Sequence, residues 1–337
     1  MLSRVANSLF WLSRYIERAE NLARLVDVNL QNSLQAHHGP GEDRVDAWRA
    51  VLYATSSEAE FESYVACGGG LDVSGFVALD ENCPDSIRTC VASARENARM
   101  VRDQITQDMW LELNSLHLFL QSGQAESLWR NDPNALFRRI VDFSLLFQGL
   151  CDTTTLHNEG WLFVQAGRYM ERADKTSRIL DMLTFSLDPP RAQMSAVLHC
   201  CSAFAAFREE FRGVVTLENV AQFLLFSEAF PRSVRFCVRQ LDEMLHAISG
   251  APRGGFFNEP ERLAGSLLAQ LNFSGTGEVQ TRGLHAYIDD IQLRLNKIGQ
   301  AIFEQYVLLP FEVDQIARAG SMSFQWQYQQ QQQQQQQ

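Results

Sequence analysis

Residues 14–20 of this 337-residue chain read RYIERAE, and residues 168–174 read RYMERAD. Two further blocks recur in the same order, at residues 50–52 and 196–198 (AVL in both) and at residues 84–91 and 231–238 (PDSIRTCV and PRSVRFCV). The separations are 154 residues for the first block (14 to 168), 146 for the second (50 to 196) and 147 for the third (84 to 231). Three blocks in one order at nearly constant spacing predict an internal duplication.

The spacing of apolar residues follows the helical period through most of the chain, and no strictly alternating run predicts a strand. We predict helices over residues 1–35, 44–66, 71–79, 84–120, from Asp132 onward, 152–185, 191–211, 217–229 and 231–248, and two more that end near Pro310. Two copies of one helical unit tend to pack through equivalent faces. The predicted fold class is therefore all-α: an internally duplicated helical bundle with pseudo-twofold symmetry.

The offsets also predict the domain organisation. Residues 1–155 form the first helical repeat and residues 156–318 the second, and together they make one domain. The remaining segment, residues 319–337, ends in an unbroken run of glutamine. Because such a run supplies no core-forming side chains, we predict that this tail is disordered.

Composition limits the classes of function. Hydrophobic residues make up 46% of the chain, which is too apolar for general disorder. The formal net charge is −11, whereas nucleic-acid-binding surfaces carry surplus lysine and arginine. We see neither an apolar run long enough to span a membrane nor the apolar centre of a signal peptide. Seven scattered cysteines fit reduced thiols. We therefore expect a cytoplasmic protein that binds no nucleic acid and no membrane.

Placed on a helix, the motif separates into an apolar arc and a charged arc. The candidate site residues are Arg14, Tyr15, Glu17, Arg18, Asn21 and Arg24 in the first copy, and Arg168, Tyr169, Glu171, Arg172, Lys175 and Arg178 in the second. Within each copy we expect three arginines to surround one glutamate. Two interpretations stay open: a network of ion pairs within or between helices, or a site for a phosphate, a carboxylate or a peptide terminus.

A second polar cluster lies at residues 95–103, which read RENARMVRD. Its members are Arg95, Glu96, Asn97, Arg99 and Arg102. The second half of the chain has no counterpart of this cluster. A unique function on one copy is one explanation, and a solvated charged face is the simpler one.

Signals for catalysis and metal binding are weak. The chain contains no His-Glu-x-x-His, no glycine-rich phosphate loop and no Gly-x-Ser-x-Gly. His37 and His38 lie in a Gly/Pro loop, and His199 directly precedes two cysteines, whereas zinc ligands are usually spaced apart. We therefore predict no metal and no cofactor, and we identify no catalytic residues.

The combination of RYIERAEN at residues 14–21, RENAR at 95–99, Trp110 with Asn114, and GRYMERAD at 167–174 resembles the alpha-E domain family. That family is an all-helical bacterial one, named for its Glu-Arg motif. The resemblance covers about residues 1–318. Carried over to this chain, the motif corresponds to Glu17, Arg18, Glu171 and Arg172. Because Lys175 stands where the first copy has Asn21, the two polar faces are not equivalent.

The resemblance implies a role by association. Alpha-E proteins occur beside circularly permuted ATP-grasp ligases and transglutaminase-like proteins that make or modify a small peptide. It implies that this chain is an accessory partner of such a ligase, binding a small peptide, an anionic ligand or the partner itself. Two alternatives remain: an enzyme acting on peptide or amide bonds through Glu17 or Glu171, and a purely structural oligomeric scaffold.

Overall fold

The fold is known from a computed structural model that describes residues 1–35, 42–252 and 254–308. Every secondary-structure element in these ranges is helical, which confirms the all-α class. The predicted loop with His37 and His38, the predicted last helix end near Pro310, and the predicted tail at residues 319–337 lie outside the described residues. None of the described helices is long and apolar enough to cross a membrane.

The helices follow one another with short connections. Within the described ranges they are α1 (Ser3–Gln35), α2 (Glu42–Thr55), α3 (Glu58–Ala66), α4 (Val73–Leu79), α5 (Ile87–Met100), α6 (Gln107–Leu120), α7 (Gly123–Asn131), α8 (Pro133–Thr154), α9 (Glu159–Asp181), α10 (Arg191–Cys200), α11 (Phe204–Glu210), α12 (Leu217–Phe226), α13 (Val234–Ser249), α14 (Glu259–Phe273), α15 (Thr276–Arg282) and α16 (Leu284–Phe303). A 3₁₀ turn (Met182–Phe185) extends α9, and a π-helical turn (Glu304–Leu308) extends α16.

Several predicted helices are divided in the structure. The predictions over residues 44–66, 84–120 and 191–211 were wrong, because each range holds two helices, and residues 152–185 span the end of α8 and all of α9. The breaks contain neither glycine nor proline. Two of them are made by serines with left-handed backbone, Ser56 (φ 54°) and Ser202 (φ 52°). The others are closed by side-chain caps: Thr106 accepts from the backbone N–H of Met109, and Asn158 caps α9.

Two predicted helix starts have different outcomes. Asp132 accepts a hydrogen bond from the backbone N–H of Ala135, so its predicted capping role is confirmed. Pro84 was predicted in the first turn of a helix, but α5 begins at Ile87 and its cap is Ser86, which accepts from the N–H of Thr89. Pro84 therefore precedes the helix. Between residues 255 and 308, the last described part of the chain, three helices occur rather than the predicted two.

The motif helices α1 and α9 contact each other and separate two hydrophobic cores. One core is built from the first half of the chain and takes only Phe163 and Val164 of its buried members from the second half. The other is built from the second half, and its buried members from the first half are Phe10, Leu25, Ala50, Val51 and Ala54. The two motif helices therefore form the boundary through which the halves contact each other.

A close approach between α1 and α9 occurs at Gly167. A Cβ atom at this position would lie 2.3 Å from the backbone carbonyl oxygen of Phe10, which is far inside van der Waals contact. The crossing of the two helices therefore requires glycine at Gly167. The corresponding residue of α1, at the offset of 154, is Ser13.

We expect Gly167→Ala to lower the free energy of unfolding by about 2 kcal/mol, because the added methyl group pushes the two backbones apart. The matched control is Gly149→Ala in α8, where a Cβ atom meets no atom within 4 Å. That variant should be neutral or more stable by up to about 1 kcal/mol, through helix propensity alone. Urea denaturation monitored by circular dichroism measures both. Equal effects in the two variants would contradict the proposed close approach.

Candidate functional site

The two motif glutamates are buried where α1 crosses α9. The exposed fraction is 1% for Glu17 and 0% for Glu171. Glu17 accepts hydrogen bonds from Arg172, from Nε at 2.8 Å and from Nη2 at 2.9 Å. Glu171 accepts from Arg18, from Nε at 2.6 Å and from Nη2 at 3.2 Å. Each motif glutamate is therefore bound in bidentate fashion by the arginine of the other helix.

This exchange corrects the arrangement expected from the sequence. We predicted that Arg14, Arg18 and Arg24 would surround Glu17. In the structure, Arg14 Nε donates to Glu171 at 2.8 Å, as Arg18 does. Arg24 instead pairs with Glu20 one turn earlier, at 2.9 Å. The helical projection of one copy cannot reveal this, because the acceptor lies on a different helix.

The second copy shows the same departure. Arg178 pairs with Asp174 at 3.0 Å rather than with Glu171. Arg168 donates from Nη1 to Asp152 at 3.5 Å and from Nη2 to the Tyr169 hydroxyl at 3.2 Å, and its buried Nε has no partner among the described residues. Only Arg172 of the three predicted arginines belongs to the central pair.

The carboxylates of α1 have partners that the sequence analysis missed. Arg232 donates from Nη1 to Glu17 at 3.1 Å and from Nη2 to Glu20. Gln148 of α8 donates to Glu17 at 3.1 Å, and Ser144 donates to Glu20 at 2.7 Å. The signal for Arg232 was in the third repeated block, where it replaces Asp85 in otherwise similar sequence. Nothing in the sequence pointed to Gln148 or Ser144.

The carboxylates of α9 obtain their additional cation from a different position. Lys175 Nζ lies 3.2 Å from Asp174 and 3.7 Å from Glu171. Asp85, at the position corresponding to Arg232, pairs with Arg18. Asn21, at the position corresponding to Lys175, donates to Glu17 at 3.2 Å. The cluster around Glu17 and Glu20 therefore has asparagine and arginine at two positions where the cluster around Glu171 and Asp174 has lysine and aspartate, and both buried carboxylate pairs are neutralised.

The motif tyrosines contact the same arginines through their rings. The guanidinium carbon of Arg18 lies 5.6 Å from the ring centre of Tyr15, and that of Arg172 lies 5.8 Å from the ring centre of Tyr169. These are cation–π distances. The two tyrosines therefore pack the charged network against the apolar interior.

The network holds both motif glutamates in the ionised state. Burial by itself would raise the pKa of Glu17, but Arg172 and Arg232 outweigh it and lower the pKa to about 2. Burial also opposes ionisation of Glu171, yet Arg18, Arg14 and Lys175 hold its pKa well below the usual range. A carboxylate with so low a pKa is a poor proton acceptor near neutral pH. The arrangement can hold helices together and orient guanidinium groups.

The second polar cluster lies on α5 and α6. Arg95 Nε donates to Asn114 at 2.8 Å, and Glu96 accepts from Arg95 at 2.9 Å and from Arg99 at 2.8 Å. Asn97 donates to the Ser93 carbonyl oxygen of its own helix, and Arg102 lies 5.5 Å from the ring of Trp110. Glu96 is 53% exposed. Within the described ranges, no hydrogen bond or ion pair joins this cluster to the motif glutamates.

One group of possible metal ligands occurs in the described part of the chain, at Asp181, His285 and Asp289, with ligand atoms within 4.8 Å of one another. His285 Nδ1 lies 2.9 Å from Asp181, which also accepts from Tyr53 and Thr184. Hydrogen bonds within the protein thus account for Asp181 without an ion.

A cavity of about 360 Å³ adjoins the network. It lies between α1, α9 and α16, and Arg14 forms part of its wall. Of the predicted site residues, Arg14 alone lines it. The charged network and this cavity together form the candidate functional site.

Comparison with known proteins gives the family. A family model described as a predicted alpha-helical domain with a conserved ER motif, Alpha-E, matches residues 1–307. The chain belongs to the Alpha-E family. The Glu-Arg dipeptides at residues 17–18 and 171–172 both lie within the matched region and form the reciprocal pair described above.

Curated relatives of this Alpha-E chain are uncharacterised proteins of Mycobacterium bovis and Mycobacterium tuberculosis. They are 24% identical over an alignment of 308 residues, and the match covers 86% of this chain and 34% of each relative. The chain thus spans about a third of the length of these relatives. No solved structure matches it.

We expect Glu17→Gln to lower the free energy of unfolding by about 3–5 kcal/mol, because it leaves the buried guanidinium group of Arg172 without its carboxylate and removes one of the two that Arg232 binds. The matched control is Glu96→Gln, which removes an exposed carboxylate that also binds two arginines and should cost at most about 1 kcal/mol. Chemical denaturation measures both. A small and equal loss in the two variants would mean that the buried pairs do not stabilise the fold.

The same carboxylates predict acid sensitivity. Because folding lowers the pKa of Glu17 from the ordinary 4.5 to about 2, its stabilising contribution is complete above the ordinary value and is lost as the pH falls towards 2. Glu171 shifts in the same direction. The free energy of unfolding should therefore decrease from about pH 5 downward. Below about pH 5, the free energy of unfolding should fall less steeply with pH in Glu17→Gln than in Glu96→Gln. Identical pH dependence in the two variants would contradict the lowered pKa of Glu17.

Proposed function

We propose that this Alpha-E protein is a non-catalytic accessory partner of a circularly permuted ATP-grasp ligase that makes or modifies a small peptide. Family membership supports the association. The observation that carries the non-catalytic part is the pairing of Glu17 and Glu171, each buried and held ionised by guanidinium groups. Because the ligase consumes ATP, the proposed partnership belongs in the cytoplasm. A transglutaminase-like protein is the second proposed partner.

The proposed role of the motif is an internal lock between two halves. The arginines and glutamates that the sequence indicated as a possible binding face pair largely with each other, at the crossing of α1 and α9. In this proposal the charged arcs contribute to ligand binding only at their edge, where Arg14 meets the cavity. The anionic ligand or small peptide is therefore bound beside the network rather than within it.

We also propose that the chain is a duplication, with residues 1–155 and 156–318 as repeats related by a pseudo-twofold axis within one domain. The reciprocal Glu-Arg pairs support it, since an isologous contact produces each interaction twice. The left-handed serines, Ser56 and Ser202, and the helix caps, Ser86 and Ser233, recur at offsets of 146 and 147 residues. An experimental structure in which residues 3–154 and 159–303 fail to superpose would refute this proposal.

The two alternatives fit the site less well. An acid–base enzyme needs a carboxyl group that exchanges its proton near neutral pH, and neither motif glutamate has such a pKa. A pure scaffold needs no concave site, whereas a cavity of about 360 Å³ adjoins the motif. That volume lies within the range of small-molecule sites in proteins, about 300–1,000 Å³.

We expect the purified chain to form a complex with the ligase encoded beside it and to raise the rate of ligation, while showing no peptide- or amide-bond turnover alone. Titration calorimetry measures binding, and ATP-dependent product formation measures stimulation. Glu96→Gln serves as a control that keeps the fold. Absence of both binding and stimulation would refute the partnership, and turnover by the chain alone would favour the enzyme alternative.

A further inference from the structure

The cavity beside Arg14 has a filled counterpart elsewhere in the described residues. A pocket of only about 10 Å³ lies between α1, α8 and α9. At the offset of 154 residues, its wall residues Val164, Gln165 and Arg168 correspond to Phe10, Trp11 and Arg14 of the open cavity. The correspondence also holds with the two helices exchanged. Ile16 of α1 lines the filled pocket, and the residue 154 positions later, Met170 of α9, lines the open cavity.

The third wall is formed by α8 in the filled pocket and by α16 in the open cavity. These two helices correspond at a different offset. At 151 residues the buried positions of α8 and α16 coincide, as Leu136 with Tyr287, Phe137 with Ile288, Ile140 with Ile291, Phe147 with Ile298 and Cys151 with Ile302. This offset matches Gln148 with Gly299 and Asp152 with Phe303. Gly299 therefore supplies no side chain where the other half has that of Gln148, and Met170 packs against it, since a Cβ atom at Gly299 would lie 2.7 Å from Met170 Cε.

Asp152 is the centre of the polar contacts beside the filled pocket. It accepts hydrogen bonds from Trp161 Nε1 at 3.2 Å, Gln165 Nε2 at 2.7 Å and Arg168 Nη1 at 3.5 Å. All three donors come from α9, one helical turn apart. A single carboxylate thus satisfies a row of donors along one face of the motif helix.

The corresponding row on α1 has donors and no carboxylate. The residues 154 positions before the three donors are Asn7, Trp11 and Arg14, and all three line the open cavity. Phe303 stands where the other half has Asp152. Within the described part of the chain, the Asn7 and Trp11 side chains have no hydrogen-bond partner, and Arg14 uses only Nε, on Glu171.

Asn296, Gln300 and Tyr306 also line the cavity, and the remainder of its wall is apolar. Phe10, Phe163, Met170 and Ile302 line it, together with the ring of Phe303. The guanidinium carbon of Arg14 lies 4.4 Å from the ring centre of Trp11, which fixes one face of that group. A ligand here meets cationic, indole and amide donors together with aromatic and aliphatic groups.

We propose that this cavity binds an organic carboxylate with an apolar body, whose carboxylate takes at Arg14, Trp11 and Asn7 the place that Asp152 takes at Arg168, Gln165 and Trp161. Arg14 supplies its two terminal nitrogens, a bidentate arrangement suited to a carboxylate. The inference rests on the proposed duplication for the pairing of positions. It does not depend on the ligase, because the binding site lies within this chain.

The test uses the full chain and three carboxylate probes: 3-phenylpropionate, indole-3-acetate and octanoate. Titration calorimetry should detect saturable binding of at least one probe below about 10 mM. The neutral 3-phenylpropionamide should bind at least about tenfold more weakly than its acid, because it lacks the charge that Arg14 pairs with. No saturation by any probe, or equal binding of the acid and its amide, would overturn the proposal.

Two variants at one partly exposed position separate charge from shape. Phe303→Asp restores the carboxylate of the other half, so it should occupy Arg14 and weaken binding of the carboxylate probes by about tenfold or more. Phe303→Asn introduces a side chain of the same shape without the charge, so it should weaken binding of the carboxylate probes less than Phe303→Asp does. Thermal unfolding of both checks that they fold. Equal affinities in the Asp and Asn variants would overturn the assignment to Arg14, whereas loss of the ligase complex alone would leave it standing.

Discussion

A carboxylate in a protein interior must be paired with a cation, and in this chain the partner of each motif glutamate lies on the other motif helix. Glu17 therefore depends on Arg172, and Glu171 depends on Arg18. Neither half can bury its glutamate without the other half in place. The crossing of α1 and α9, with its close approach at Gly167, follows from this mutual requirement, and the two hydrophobic cores take their positions on either side of it.

This requirement constrains the total charge of each carboxylate cluster more than the identity of its members. Arg232 supplies the additional cation on one side, and Lys175 supplies it on the other. The positions corresponding to these two cations hold Asp85 and Asn21. The two clusters thus differ at two pairs of corresponding positions while both remain neutralised, which explains why the repeated blocks differ in charge although they agree in pattern.

The sequence was sufficient for the helical class, since that class depends on the spacing of apolar residues along the chain. It was insufficient where the decisive partner is distant. The breaks at Ser56 and Ser202 contain neither glycine nor proline, and the apolar period continues through them. A search of the sequence for helix-breaking residues therefore does not detect either break. Gln148 and Ser144 reach Glu17 and Glu20 from α8, and no local pattern marks them.

The surplus of arginine in the motif first suggested two exclusive explanations, a structural network or an anion site. The geometry of Arg14 is compatible with both explanations, because a guanidinium group can donate from Nε to one acceptor and from its two terminal nitrogens to another. Its Nε is fixed by the buried Glu171, which orients the group. Its terminal nitrogens donate to no other described residue, and Arg14 lines the cavity. A group held in this way loses little conformational freedom when an anion binds, and preorganisation of that kind favours affinity. The lock and the proposed ligand site are therefore two uses of one side chain.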